Sequence, residues 1–280
     1  MKLTYFGTAA AEGMPALFCN CEYCKEARKL GGKNVRTRSQ ALINDDLLLD
    51  FPADTYFHFL TNGVEGDKIR HLLITHSHPD HFYPEQLELR KSPFAHEMRS
   101  EKLEVYCGEG TYAKLQTVSV PVAASVICEK LTAYQTYQIG TYTVIPLPAN
   151  HHHGDGAFIY IIKDAEGTTL LYAHDTGYFF DEVFQYIEKE GIYFDCVSYD
   201  CTNVNISYSD KSSHMGISNI GRVHDRLKNM GAIDKNTVEI VNHFSHNANP
   251  LQHVLEDCVK DFGWLVAYDG MKVEFSGKKE

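Results

Sequence analysis

The run Leu72-Leu73-Ile74-Thr75, followed at once by His76-Ser77-His78-Pro79-Asp80-His81, decides how this chain is read. Its apolar, β-branched part has the length of a buried strand, and a polar cluster begins where it stops. Four ligand-type side chains within six residues at a strand exit can enter one cavity without a long unpaired loop. Neutral imidazoles and an ionised carboxylate suit borderline divalent cations such as zinc or manganese. A chance surface cluster of histidines does not explain why the aspartate and the apolar strand fit the same site.

Working outward, the same punctuation recurs. His151, His152 and His153 follow Tyr142-Thr-Val-Ile-Pro-Leu-Pro-Ala-Asn150, Asp175 follows Thr168-Thr-Leu-Leu-Tyr-Ala-His174, and His243 follows Thr237-Val-Glu-Ile-Val-Asn242. Each lies where an apolar strand gives way to a polar loop, so distant positions can converge on one sheet edge. Taken singly these would be ordinary loop residues; with the first cluster they point to a two-metal site. His151 is preferred over its two neighbours because it directly follows the strand exit.

Short β-branched or aromatic runs occur throughout the rest of the chain. Leu3–Phe6, two strands around Asn44-Asp45-Asp46, Leu103–Cys107, Phe158–Ile162, Phe194–Asp200 and Trp264–Asp269 are expected strands. Helical spacing is expected after Pro52, over Pro84–Lys91, near Glu182–Glu190, near Met215–Gly231 and near Pro250–Gly263. The stretch from Gly13 to Asn34, with its glycines and proline, reads as long and irregular. No proline- or serine-rich linker divides the pieces, so a single domain over residues 1–280 is expected, with a cysteine-containing insert at about 13–38.

The chain has 280 residues, 44% of them hydrophobic, with 26 Lys and Arg against 37 Asp and Glu, a formal charge of −11. Such acidity argues against a broad nucleic-acid-binding face. There is no long apolar leader and no run of 18 apolar residues, so a soluble, cytoplasmic protein is expected, without membrane contact. Three of its eight cysteines crowd into Cys19-Asn20-Cys21-Glu22-Tyr23-Cys24, which suits a metal better than several disulfides. A structural zinc would need a fourth ligand, for which His246 is attractive. The window Cys19 to Arg38 holds six basic and two acidic residues, 6 − 2 = +4, and reads either as a solvated loop face or as an attractor of anionic substrate.

These motifs resemble those of the metallo-β-lactamase-fold hydrolases. His76-Ser77-His78-Pro79-Asp80-His81 stands where that family carries its HxHxDH signature, and His151, Asp175 and His243 match its later elements in order. The resemblance covers nearly the whole chain and implies an α/β fold, a four-layer αββα sandwich with the active site at one edge. By the same resemblance His76, His78 and His151 would bind one metal, Asp80, His81 and His243 the other, and Asp175 would bridge them. A bridging water held as hydroxide would attack, with Asp80 orienting it.

Within the family, Cys19, Cys21, Cys24 and His246 are similar to the separate zinc site of the phosphonate-pathway cyclic ribose-phosphate phosphodiesterases. That branch also implies that His214, in Ser212-Ser213-His214, protonates the leaving oxygen; a helix-capping or solvent-facing role is the other reading, with Ser212 or Ser213 as the cap. The implied substrate is a small anionic phosphodiester such as a cyclic ribose phosphate. The alternatives are a transfer-RNA 3′-processing nuclease, which shares the His243-Phe244-Ser245 element, β-lactam or thioester hydrolysis, and a zinc-stabilised interaction protein without activity. A flavodiiron-type redox role is disfavoured by histidine in place of an acidic ligand. A homodimer is possible, though no surface marks it.

Overall fold

The computed structural model describes residues 1–117, 125–151, 154, 156–207 and 209–277. The first half supplies β1 (Lys2–Gly7), α1 (Glu22–Leu30), β2 (Gln40–Ile43), β3 (Leu47–Leu49), α2 (Thr55–Asn62), β4 (His71–Leu73), β5 (Leu103–Cys107), α3 (Glu109–Thr117) and β6 (Val126–Lys130). The second half supplies β7 (Tyr137–Ile139), β8 (Tyr142–Pro148), β9 (Phe158–Lys163), β10 (Thr169–Ala173), α4 (Asp181–Lys189), β11 (Cys196–Asp200), α5 (Ile217–Asn229), β12 (Val238–Asn242), α6 (Gln252–Val259), β13 (Leu265–Val266) and β14 (Lys272–Glu274). One sheet runs β14-β1-β2-β3-β4-β5-β6 and the other β13-β12-β11-β10-β9-β8-β7.

Strands buried on both faces explain the continuous apolar runs of the sequence. Along β3, Leu47 and Leu49 point into the layer between the sheets while Leu48 points to the outer helical layer; along β10, Leu170 and Tyr172 point inward and Leu171 and Ala173 outward. Phe59 of α2 and Leu115 of α3 cover the first sheet, and Val183, Ile220, Val223 and Leu255 of α4, α5 and α6 cover the second. The architecture is therefore the four-layer αββα sandwich.

Several local readings change. The stretch read as irregular contains α1, which begins where the Cys21 thiol accepts the Cys24 N–H and ends at Gly31 with φ +62°. Its flanking glycines and Pro15 obscured nine helical residues. Pro84–Leu89 winds as a tighter 3-10 helix rather than an α-helix. Helix α3 and strands β6, β7 and β14 were not expected; Val-Ile-Cys-Glu-Lys of β6 alternates weakly on a partly exposed edge, and β7 and β14 are only three residues long. Only Leu265–Val266 of the expected strand from Trp264 pairs.

Candidate metal centre

Strands β3, β4, β8, β10, β11 and β12 all end on one edge of the sandwich, because β3 and β4 run parallel and β10, β11 and β12 run parallel, with β8 antiparallel to β9 and so aligned with β10. Their exits carry Asp50, His76 to His81, His151, Asp175, Asp200 and His243. Asp50, Asp175 and His243 adopt left-handed backbone conformations, φ +63°, +50° and +63°. Each such residue costs on the order of 1–3 kcal/mol, and packing on both sheets holds it there.

Three overlapping donor groups result, each with all atoms within 4.8 Å of one another: His76, His78, His151 and Asp175; Asp80, His81, Asp175 and His243; and Asp175, Asp200, His214 and His243. Asp175 belongs to all three. In the first, His76 Nε2 is 3.2 Å and His151 Nε2 3.7 Å from Asp175 Oδ2, and His151 Nε2 is 3.2 Å from His78 Nδ1. In the second, His81 Nε2 lies 2.9 Å from Asp175 Oδ2, 3.4 Å from Asp80 Oδ2 and 3.2 Å from His243 Nε2, while His243 Nε2 is 3.0 Å from Asp175 Oδ1. His152 and His153 lie outside the described residues.

These donors fit divalent cations. Bonds of about 2.0–2.2 Å at tetrahedral or octahedral angles separate neighbouring donors by roughly 3.0–3.5 Å, which is the spacing here. His76 Nε2 and Asp175 Oδ1 are buried without a hydrogen-bond partner despite these short approaches. Polar atoms that converge without hydrogen-bond alignment leave a point between them that a cation satisfies.

Electrostatics agree. Burial, reinforced by His81, pushes His76 down to about 3, so its imidazole is neutral and its lone pair available. Burial also lowers His151. Burial opposes charge on His81 too, but Asp175, Asp50 and Asp80 outweigh it and hold the ring well above its usual value. Burial likewise works against charge on Asp80 and Asp175; His81 acts on Asp80, and His243 with His81 on Asp175, to keep both carboxylates ionised. A proton held on His81 answers this buried negative charge, and a divalent cation would displace that proton to use the nitrogen's lone pair.

A surrounding layer fixes the donors, and the sequence reading missed it. Asp50 Oδ2 lies 2.7 Å from His81 Nδ1, and Asp50 Oδ1 accepts the Thr75 N–H at 2.8 Å. Thr202 Oγ1 is 2.8 Å from His243 Nδ1, and the Ser213 carbonyl 3.1 Å from His151 Nδ1. Such partners set the tautomer and aim of an imidazole. Lys114 on α3 donates to the Ser77 and Phe82 carbonyls, each at 2.6 Å, pinning both flanks of the ligand loop. Asp50 and Asp200 were findable by the rule that found Asp175, since both close apolar strands; Lys114 left no signal.

A cavity of about 320 Å³ opens over this centre, lined by His78, Asp80, His151, Asp175, His214 and His243 among others. His214 is no helix cap: the residue before α5 is Gly216, and neither Ser212 nor Ser213 caps it. Its Nδ1 instead lies 3.1 Å from Asp200 Oδ2 and 3.4 Å from Asp175 Oδ1. Burial disfavours the imidazolium, but the two carboxylates more than offset it and raise His214 to about 9. No Lys or Arg is among the described residues lining the cavity. The basic window therefore does not furnish the anion site. Arg36 is buried, donating to Thr8 Oγ1, the Ala267 carbonyl and Gln252 Oε1, and Arg38 pairs with Asp54.

The thiols form a second, separate centre. Cys19, Cys21, Cys24 and His246 converge within 4.8 Å, with His246 Nδ1 3.8 Å from Cys21 Sγ and 3.6 Å from Cys24 Sγ. The longer spacing matches the longer zinc–sulfur bond of about 2.3 Å. His246 draws the Cys21 thiol down to about 6, while burial raises Cys24 to about 11.

Fold and donor set define the class, a metal-dependent hydrolase of the metallo-β-lactamase fold. Residues 52–233 match the beta-lactamase superfamily domain, and the chain belongs to that superfamily. Among solved structures it is similar to a diphosphatase from the PhnP family, 20% identical over 98% of each chain with a TM-score of 0.72. It is also similar to zinc-bound PqqB from Methylobacterium extorquens, at 16% identity over 98% of this chain and 100% of that one, TM-score 0.69. The short form of human tRNase Z is 15% identical over 98% of this chain and 99% of that one, TM-score 0.64. No curated protein sequence matches the chain. No helix among the described residues is long and apolar enough to cross a membrane.

Proposed function

We propose that this chain is a binuclear metal-dependent phosphodiesterase acting on a small cyclic ribose phosphate or a related phosphodiester. One observation carries the reading: Asp175 is shared by the His76, His78, His151 group and the Asp80, His81, His243 group, while His214, which meets Asp175 and Asp200, lines the same cavity. In this reading His76, His78 and His151 would hold one divalent cation, Asp80, His81 and His243 the other, and Asp175 would serve both groups. Mixed nitrogen and oxygen donors accept zinc or manganese. When bound, such cations would supply a lowered pKa for water and withdrawal of charge from phosphorus.

The chain's own residues do the rest. Asp80 orients the attacking water, and Asp50 and Thr202 keep His81 and His243 aimed inward. His214, charged below about pH 9 and held through Nδ1 by Asp200, donates a proton to the departing alkoxide. Cys19, Cys21, Cys24 and His246 hold a structural zinc outside the reaction. The lining without Lys or Arg favours a small ester over RNA, whose backbone binding rests on such cations.

The test is an assay of metal-reconstituted protein against ribose 1,2-cyclic phosphate, bis(4-nitrophenyl) phosphate, precursor transfer RNA and a thioester under matched conditions. Turnover is expected to be highest on the cyclic ester. Turnover confined to RNA, or a metal content of a single zinc per chain, overturns the reading.

A further inference from the structure

Part of the cavity wall is made by the loop after β1 and the turn after β12, where Glu12, Ser245 and Asn247 line the space. The loop is fixed on both sides. Ala10 N–H donates to the Phe244 carbonyl at 3.0 Å, Met14 exchanges backbone bonds with Arg36, and Gly13, at φ +72°, closes a turn by donating to the Ala10 carbonyl. Glu12 sits inside that turn with its side chain about 30% exposed.

Its carboxylate is aimed by a small network. Ser245 Oγ accepts from Asn247 N at 3.2 Å and from Asn247 Nδ2 at 3.0 Å, so its single proton goes to Glu12 Oε1. The same oxygen lies 3.7 Å from His246 Nε2, the nitrogen turned away from the thiols. Oε2 has no hydrogen bond among the described residues, and Glu12 is the one acidic residue among those lining the cavity that belongs to none of the donor groups.

A cation-free wall with one oriented carboxylate repels a second phosphoryl group and accepts O–H donors. The cations of the adjoining cavity, Lys211, Arg222 and Arg226, line a separate space, and both guanidiniums already pair with Asp210 and Asp181. Resting on the phosphodiesterase reading above, we propose that Glu12 is a specificity-determining residue whose carboxylate accepts hydroxyls of the substrate's sugar or polyol part. The enzyme then takes phosphodiesters with neighbouring hydroxyls and no further phosphate.

Calorimetric titration of the metal-loaded protein with glycerol 1-phosphate, propyl phosphate and propane-1,3-diol bisphosphate tests this without turnover. The glycerol ester should bind about tenfold tighter than the propyl ester, the low end for a hydrogen bond to a charged group, and the bisphosphate no tighter than the glycerol ester. In Glu12→Ala the tenfold preference should fall to within about twofold. Ser245→Ala, which keeps the carboxylate but frees it, should reduce the preference part of the way, with the zinc content of both variants measured alongside. A preference unchanged in Glu12→Ala, or in Ser245→Ala should Glu12→Ala lose its zinc, overturns the assignment, as does a bisphosphate that binds tighter than both monoesters. Hydrolysis of 4-nitrophenyl glyceryl phosphate by the wild type separates the two failures: its absence overturns the phosphodiesterase reading itself, whereas its presence with no hydroxyl preference overturns Glu12 alone.

Discussion

The two donor centres make opposite uses of one scaffold. The histidine and aspartate centre draws its side chains from the ends of strands in both sheets, buries all of them but the half-buried His78, and surrounds them with Asp50, Thr202 and Lys114. The thiol centre draws three donors from one loop and the first turn of α1 and leaves Cys19 and Cys21 partly exposed. Four protein donors close a tetrahedral shell, whereas the shared Asp175 and the cavity above it keep room for water and substrate. On the function proposed above, rigidity from strands would go to the centre that holds a reacting group, and soft ligands on a loop would suffice to tie chain segments together.

Breaking the first centre should have the larger consequences. His78→Ala is expected to lower turnover on the order of 10³-fold and to reduce bound metal, with the thermal midpoint little changed because the sheets still bury their apolar faces. Undiminished turnover would remove the metal mechanism. His214→Ala is next, at about 10²-fold in kcat. Because the raised His214 must be protonated to act, wild-type kcat should fall as pH rises through about 9, and this alkaline limb should vanish in the variant. A limb that persists unchanged assigns the acid elsewhere.

Asp50→Asn leaves every donor in place but weakens the aim of His81, so metal affinity should fall roughly tenfold, read by competition with a chelating dye. No change would mean that packing alone orients the ring. Cys24→Ser sharpens the contrast from the other side. It should cost one zinc per chain and lower the thermal midpoint by roughly 5–10 °C while reducing turnover least of the four. A turnover loss as large as that of His78→Ala would show that the two centres do not divide the work as argued.

What the sequence makes legible follows the same division. A strand exit followed by a ligand-type residue is a local pattern, so His76, His78, Asp80, His81, His151, Asp175 and His243 could all be picked out, and the sandwich followed from the family resemblance that these motifs carry. Asp50 and Asp200 were equally visible as strand ends, yet their partners are His81, 31 positions on, and His214 beyond a loop, and no spacing rule links them. Between Cys19 and Arg38 the reading as a solvated face holds for the exposed Lys25, Arg28, Lys29 and Lys33 but not for the last two cations, because a charge count has no direction. Arg36 turns inward over the Phe244 ring, 4.5 Å away, and Arg38 toward Asp54.

His243 and His246 are separated by two residues, and each end of that short segment reaches a different centre. Phe244 between them is wholly buried, with its N–H on the Thr8 carbonyl and its carbonyl on Ala10. The segment acts as a ruler of fixed length. One inserted residue would leave either imidazole at its post only by carrying the other away, so chain length here should be far less tolerant of change than the side chain at Asn247, one step beyond.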